Sequence, residues 1–303
     1  MEGKTDMVSK ILPLIEKEIA KGNNLQENNV LRTLADENKG IIGSLIAEVE
    51  KKYKDSNYMK SLFKVIRILH DIFPEQVIMQ INKNPVFPKV ISKYIGMTEL
   101  QNLSGDSFVL LAYISDCMGI ENVLTKHMIE KLFDSLSSIE NPEVFDAIIF
   151  LIFKLSSILN KMKQNNFILK LCKEHQNSRY VEEILIKLII KCKGERLIIC
   201  MEFALLVLKD PDLSKKFFYT NDLNILIDVI LQEAENDAIK EIRLMYFEML
   251  YFILTTSEYK SSSYKYEEIV KLINGIAENP ETDEETLNLI QKIASLEQEE
   301  SSN

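Results

Sequence analysis

Turn-forming residues are scarce in this sequence, with seven Pro and nine Gly in 303 residues. A chain so poor in turn-formers is not built as a β-sandwich, a barrel or a disordered linker. There is no Trp, and only three His are present. That thins the supply of the commonest acid–base residue and metal ligand. The four Cys show no CxxC spacing. They give no zinc framework and suit a reducing compartment. Positive charge is also short, with a net charge of -10 and a pI of about 5.1. A nucleic-acid reader with a large basic face is therefore disfavoured. The longest apolar run, Ala147 to Phe153, falls far short of the roughly 20 residues that span a bilayer, so no membrane insertion is expected. The start, Met1-Glu2-Gly3-Lys4, has no signal-peptide pattern, and Gly3 is misplaced for myristoylation. The end, Glu299 to Asn303, has no lipidation motif. These features together predict a cytoplasmic protein.

What is present is helical periodicity from end to end. Apolar residues recur at helical spacing in Ile11, Leu14, Ile15 and Ile19, around Pro13. The pattern repeats in Ile41, Leu45, Ile46 and Val49, then in Leu62, Val65, Ile66 and Leu69. Val77, Ile78 and Ile81 form a short helix that must stop before Pro85. Two stretches are apolar nearly all round, Val144 to Leu159 and Ile184 to Cys192. Such helices are predicted to be central, with neighbours on both sides. Helix starts are marked by Ser56-Asn57, by Asn141-Pro142-Glu143, and by Thr282-Asp283-Glu284-Glu285 ahead of Leu287. Gly194 and Asp210-Pro211-Asp212 separate further helices.

Roughly 15 helices follow, recurring as pairs or triplets at about 40 residues, the spacing of HEAT or armadillo units. A single bundle of that many helices outgrows one core. The predicted fold is an all-α, armadillo/HEAT-like α-solenoid over residues 1–297, monomeric, with an acidic, serine-rich tail at 298–303 that frays.

No catalytic, cofactor-binding or metal-binding residues are assigned. The glycines form neither GxGxxG nor GxxxxGK[ST], and no GxSxG or HExxH occurs. His70 reads as a helix-end residue, and His127 and His175 as surface residues. Cys117, Cys192 and Cys200 read as small core hydrophobes, since none has a His partner. Glu16 and Glu18 alternate with Lys17 and Lys21 on a solvated face. Glu281, Asp283, Glu284 and Glu285 load a helix N-terminus. Lys51, Lys52 and Lys54, and also Lys161 and Lys163, are short basic runs that keep loops soluble or meet an acidic partner. The five arginines, Arg32, Arg67, Arg179, Arg196 and Arg243, carry more information, because Arg makes bidentate and stacked contacts that Lys does not.

One segment combines unusual features. Phe217-Phe218-Tyr219 leads into Thr220-Asn221-Asp222, and an amphipathic helix follows through Ile230. Thr220 or Asn221 is predicted to cap that helix, Asp222 to add favourable charge, and the aromatic trio to wedge between helices. Tyr219-Thr220-Asn221-Asp222-Leu223 with Leu226 to Ile230 resembles the hallmark segment of the WISH/DIP/SPIN family. Arg243, Tyr246 and Leu250 resemble that family's Arg-x-x-Tyr-Leu-x-x-Leu helix, with Phe247 replacing its Leu. Thr256, Tyr259, Tyr264 and Lys265 resemble its connection into the last helices. The likeness covers about 201–276.

The resemblance implies an armadillo-like domain that binds the actin-related protein 2/3 complex. It implies activation without a preformed mother filament, giving linear actin filaments. The activator would perform no catalysis, and it would act at the actin cytoskeleton and cortical patches. Some members carry an SH3 domain and proline-rich segments, whereas the seven prolines here are scattered. No acidic tail with Trp of the branching-activator kind is present, so the resemblance implies a minimal activator. Arg243, Tyr264 and Lys265 are the candidate partner contacts. Tyr219, Thr220, Asn221 and Asp222 are read as a structural helix junction. The alternative function is a generic armadillo-type scaffold for another protein, such as a formin-regulatory-like domain.

Overall fold

A computed structural model describes residues 13–15, 17, 41–52, 54–97, 105–115, 125–234, 239–280 and 282–300. Among them are sixteen α-helices, one short 3-10 turn and no strand. The all-α expectation is borne out. The helices gather into two compact units, 1–165 and 166–303, each described on its own below. Ile11, Leu12, Glu16, Glu18, Ile19, Lys21, Arg32, Cys117 and Glu281 lie outside the described residues, as do Ser301 to Asn303.

The first unit contains α1 (Ile41–Lys52), α2 (Ser56–Ile72), α3 (Pro74–Asn82), α4 (Phe87–Met97), α5 (Gly105–Ile114), α6 (Lys126–Ser135) and α7 (Pro142–Lys161). Here α2 packs on α5 and α5 on α7, while α1 packs on α4 beside that row. The expected central helix is α7, where every residue from Ala147 to Leu159 is buried. Gly105 fits against it closely, since a Cβ there would come within 3.0 Å of the Glu143 carbonyl oxygen. Pro142 stands at the first turn of α7 as read, and Pro74 likewise opens α3. Asn141 caps α7, its side chain accepting from the Glu143 N–H at 2.9 Å. The α2 cap differs by one position: Asp55, not Ser56, accepts from the Tyr58 N–H at 3.1 Å. His70 sits in the last turn of α2, buried and stacked on Tyr113 with ring centroids 4.4 Å apart. Arg67 bridges Asp71 and Asp106, tying α2 to α5.

The second unit contains α8 (Phe167–Glu174), α9 (Ser178–Lys191), α10 (Gly194–Leu208), α11 (Pro211–Phe217), α12 (Thr220–Glu233), α13 (Lys240–Thr255), α14 (Ser257–Ser262), α15 (Tyr266–Glu278) and α16 (Glu284–Glu300). It is a two-row stack. In one row α10 packs on α13 and α13 on α16; in the other, α9 packs on α12 and α12 on α15. The short helices α11 and α14 turn the chain from one repeat into the next. Repeats beginning at Ser178, Thr220 and Tyr266 lie 42 and 46 residues apart, the period read from the sequence. Position in the stack explains composition. α10 and α13 have neighbours on several sides and are apolar almost all round. α16 ends its row, packing on α13 and α15, and buries Thr286, Ile290 and Ile293 while keeping a charged outer face. α9 is not central, contrary to its apolar pattern. It lies in the flanking row and leaves Glu183, Lys187 and Lys191 exposed, together with Ile190 at 57%.

Candidate functional site on α12 and the turn before α15

The family-like segment, about 201–276, runs from the second half of α10 through α15. Phe217 and Phe218 are both 2% exposed and pack against each other and Phe203 of α10. These two rings form the predicted wedge. Tyr219 does not join them; its side chain is 72% exposed. The reason is local geometry. Tyr219 occupies the N-cap of α12 in an extended conformation, which turns its side chain out of the core. The cap chemistry also departs from expectation. Thr220 and Asn221 already lie in the first turn of the helix, so neither caps it. Instead the Asp222 carboxylate reaches back and accepts from the Tyr219 N–H at 3.0 Å. Asp222 is the architectural member of the group, while Tyr219, Thr220 and Asn221 present their side chains to solvent.

Two predicted contacts, Tyr264 and Lys265, are brought together on a residue the sequence reading passed over. The Tyr264 hydroxyl donates to the Asp228 carboxylate at 3.2 and 3.3 Å. Lys265 Nζ lies 2.8 Å from the same carboxylate and 5.7 Å from the Tyr264 ring centroid. The hydrogen bond to Asp228 raises the Lys265 pKa. Ser263 and Lys265 both adopt left-handed backbone, with φ of 49° and 50°, which compresses the α14–α15 connection into one tight turn. Asp228 thus pins that turn to the middle of α12. The signal was present in the sequence as a lone acid within the apolar run Leu226 to Ile230.

Arg243 is not part of this cluster. Its guanidinium lies 3.8 Å from Asp283, at the start of α16. Lys240 reaches the same carboxylate at 3.1 Å and Glu285 at 3.2 Å. Asp283 is also the cap of α16, accepting from the Thr286 N–H and hydroxyl. The cap was expected at Thr282, whose hydroxyl instead donates to the Ile276 carbonyl at 2.8 Å. The Thr286 hydroxyl, helped by Lys240, holds the Asp283 carboxyl well below the ordinary carboxylate range. A second clamp had no sequence signal. Lys216 of α11 donates to the Cys172 and Lys173 carbonyls at the end of α8, at 2.9 and 3.0 Å, and to the Ser178 hydroxyl at 2.7 Å. An ammonium at a helix C-terminus is favoured by the unpaired carbonyls there.

Two surface grooves flank α12. One, about 540 Å³, is lined by Ile189, Cys192, Leu197, Val229, Ile239 and Tyr246 among others. The second, about 570 Å³, runs past Asp228, Leu231, Lys265, Lys271 and Leu272. Between them α12 shows Asn221, Ile225 (41% exposed) and Gln232, with Tyr219 at its head. Among the described residues no group of His, Cys, Asp and Glu is placed to hold a metal ion. None of their helices is long and apolar enough to cross a membrane.

A two-row helical stack with an exposed aromatic at the head of α12, a partly apolar groove on one side of that helix and a charged groove on the other, has the surface of a helical-repeat protein-interaction module. Residues 138–269 match the family model described as SPIN90/Ldb17, leucine-rich domain. The family resemblance read from the sequence is thereby shown, and it begins earlier in the chain than the motifs did, near the start of α7. No curated protein matches the chain.

Proposed function

We propose that this chain binds the actin-related protein 2/3 complex and activates it without a preformed mother filament, so that linear actin filaments are nucleated. The observation that carries this reading is the SPIN90/Ldb17 leucine-rich domain match over residues 138–269. It overlaps the segment in which Tyr219, Asp228, Tyr264 and Lys265 lie on or against α12. The role is allosteric and not chemical. An activator of this kind binds the active arrangement of its partner better than the inactive one, and shifts the population by that difference.

The surface assigned to the partner is the outward ridge of α12, with Tyr219, Asn221 and Ile225. Tyr219 is the main anchor, because a solvent-exposed aromatic has the composition of an interface hot spot. Lys265 and Tyr264 border this ridge through their bond to Asp228, and Arg243 steadies the neighbouring helix through Asp283. The protein acts in the cytoplasm, at the actin cytoskeleton.

Bulk actin assembly followed by pyrene fluorescence tests the reading. Addition of the folded chain with the purified complex should shorten the lag; the chain without the complex should not. An unchanged lag, with helical content intact, leaves a helical scaffold for a different protein partner.

A further inference from the structure

The turn between α3 and α4 holds a small set of side chains out in solvent. Asn84 fixes its shape: the side-chain oxygen accepts from the Val86 N–H at 3.3 Å, and the carbonyl accepts from the Phe87 N–H at 3.1 Å. Phe87 is fully buried and Pro88 is buried beside it, which anchors the turn to the core. Pro85 and Val86 stand outward, Val86 at 40% exposure. Lys89 and Lys93 follow Val86 at steps of three and four, so the three share the outer face of α4, while Val90, Ile91 and Tyr94 are buried. On α3, the exposed Met79 and Lys83 lie one helical turn apart. Both helices bury their other sides by packing on α1. The charge of this corner runs against the rest of the chain. Residues 76–98 carry Lys83, Lys89 and Lys93 and no Asp or Glu, in a chain of net charge -10. The acid that precedes them, Glu75, lies at the start of α3, about two helical turns before Lys83. Among the described residues neither Lys83 nor Lys89 forms an ion pair.

We propose that the α3–α4 corner docks the chain peripherally on an anionic membrane surface. It lies in the first unit, outside residues 138–269, so the inference does not depend on the proposed partner. Three features favour a lipid surface over an acidic protein segment. The first is the cation. A carboxylate on a protein is met best by the guanidinium fork, yet no Arg stands between Arg67 and Arg179. Lysine is a hydrated point charge, and suits the diffuse negative potential of a headgroup layer. The second is the placing of the apolar residues. Val86 and Met79 protrude beside the lysines, so they can enter the interfacial layer while the lysine stems keep their ammonium groups at the level of the phosphates. The third is rigidity. The Asn84 bonds and the buried Phe87 set the turn in advance, so little order is lost on docking. The net negative charge of the whole chain opposes adsorption through its acidic faces, which gives the docked chain one orientation.

Co-sedimentation of the full chain with sucrose-loaded vesicles tests this. One set is phosphatidylcholine alone, and the other contains about one-third phosphatidylserine. The expected result is partition onto the anionic set only, weakening as salt is raised. Each lysine near such a surface contributes about fivefold in partitioning, so K83Q/K89Q/K93Q should weaken it on the order of 100-fold. V86S should weaken it severalfold with all charges kept. K187Q/K191Q/K193Q removes as many charges from the second unit, and should partition like the parent. The substituted side chains are exposed, and circular dichroism verifies that each variant is folded. Absence of the parent chain from the anionic vesicles would overturn the proposal. So would equal losses from the two triple variants, which would mean unspecific adsorption. A parent that ignores vesicles but binds polyglutamate through Lys83, Lys89 and Lys93 would overturn it in favour of an acidic polypeptide.

Discussion

Replacing Tyr264 by Phe removes one hydroxyl and leaves the ring in place. The hydroxyl donates to a carboxylate, and hydrogen bonds to charged groups contribute about 1.5–3 kcal/mol when well buried. Asp228 is 45% exposed and Tyr264 half-buried, so solvent competes for the same oxygens. The expected loss is about 1 kcal/mol, or a fall in Tm of about 3 °C for a domain of this size. The effect must also depend on Asp228. Urea unfolding of Y264F, D228A and the double variant forms a thermodynamic cycle. In the D228A background the further change to Y264F should be close to zero, giving a coupling of about 1 kcal/mol. An equal loss from Y264F in both backgrounds refutes the pin, and would place the contribution of Tyr264 in ring packing alone.

Three other outcomes follow from the same geometry. Phe218→Ala removes a wedge ring that is 2% exposed, and should lower stability by about 3–5 kcal/mol in chemical unfolding. Tyr219→Ala should leave stability within about 0.5 kcal/mol of the parent, because the ring is solvated, while weakening activation in the pyrene assay; a large drop in Tm would contradict the exposed placement. The third concerns acid. The Asp283 carboxyl is held below its ordinary pKa of 3.8, so the ionised form stabilises the fold above that value, and the contribution fades as pH falls below it. The Tm difference between the parent and D283N should be steady from pH 7 to about pH 5 and shrink on further acidification; a gap that widens in acid is incompatible with the cap.

Periodicity made the fold class legible because the α10 and α13 positions demand apolar residues nearly all round. A repeat of about 40 residues survived without sequence identity because each triplet occupies the same place in a two-row stack. Cap positions were less legible. At Asp55-Ser56, Thr220-Asn221-Asp222 and Thr282-Asp283 several capping-competent residues stand side by side. The preceding loop decides which of them reaches the open N–H groups, and that loop is set by tertiary packing. α9 misled for a related reason: its apolar residues face α8, α10, α11 and α12, yet the flanking row leaves Ile190 in solvent. At the site, Tyr264 and Lys265 were legible as a pair, but their partner Asp228 lies 36 residues upstream. No local pattern announces a contact of that range, and the same holds for Lys216 and the end of α8.

The most direct measurement of the central claim is single-filament fluorescence microscopy. Purified actin monomers, the actin-related protein 2/3 complex and this chain are combined, with no seed filaments and no other activator. The account predicts new unbranched filaments that appear only when all three components are present, and fewer of them with Tyr219→Ala. Filament numbers that are the same with and without the folded chain would contradict it.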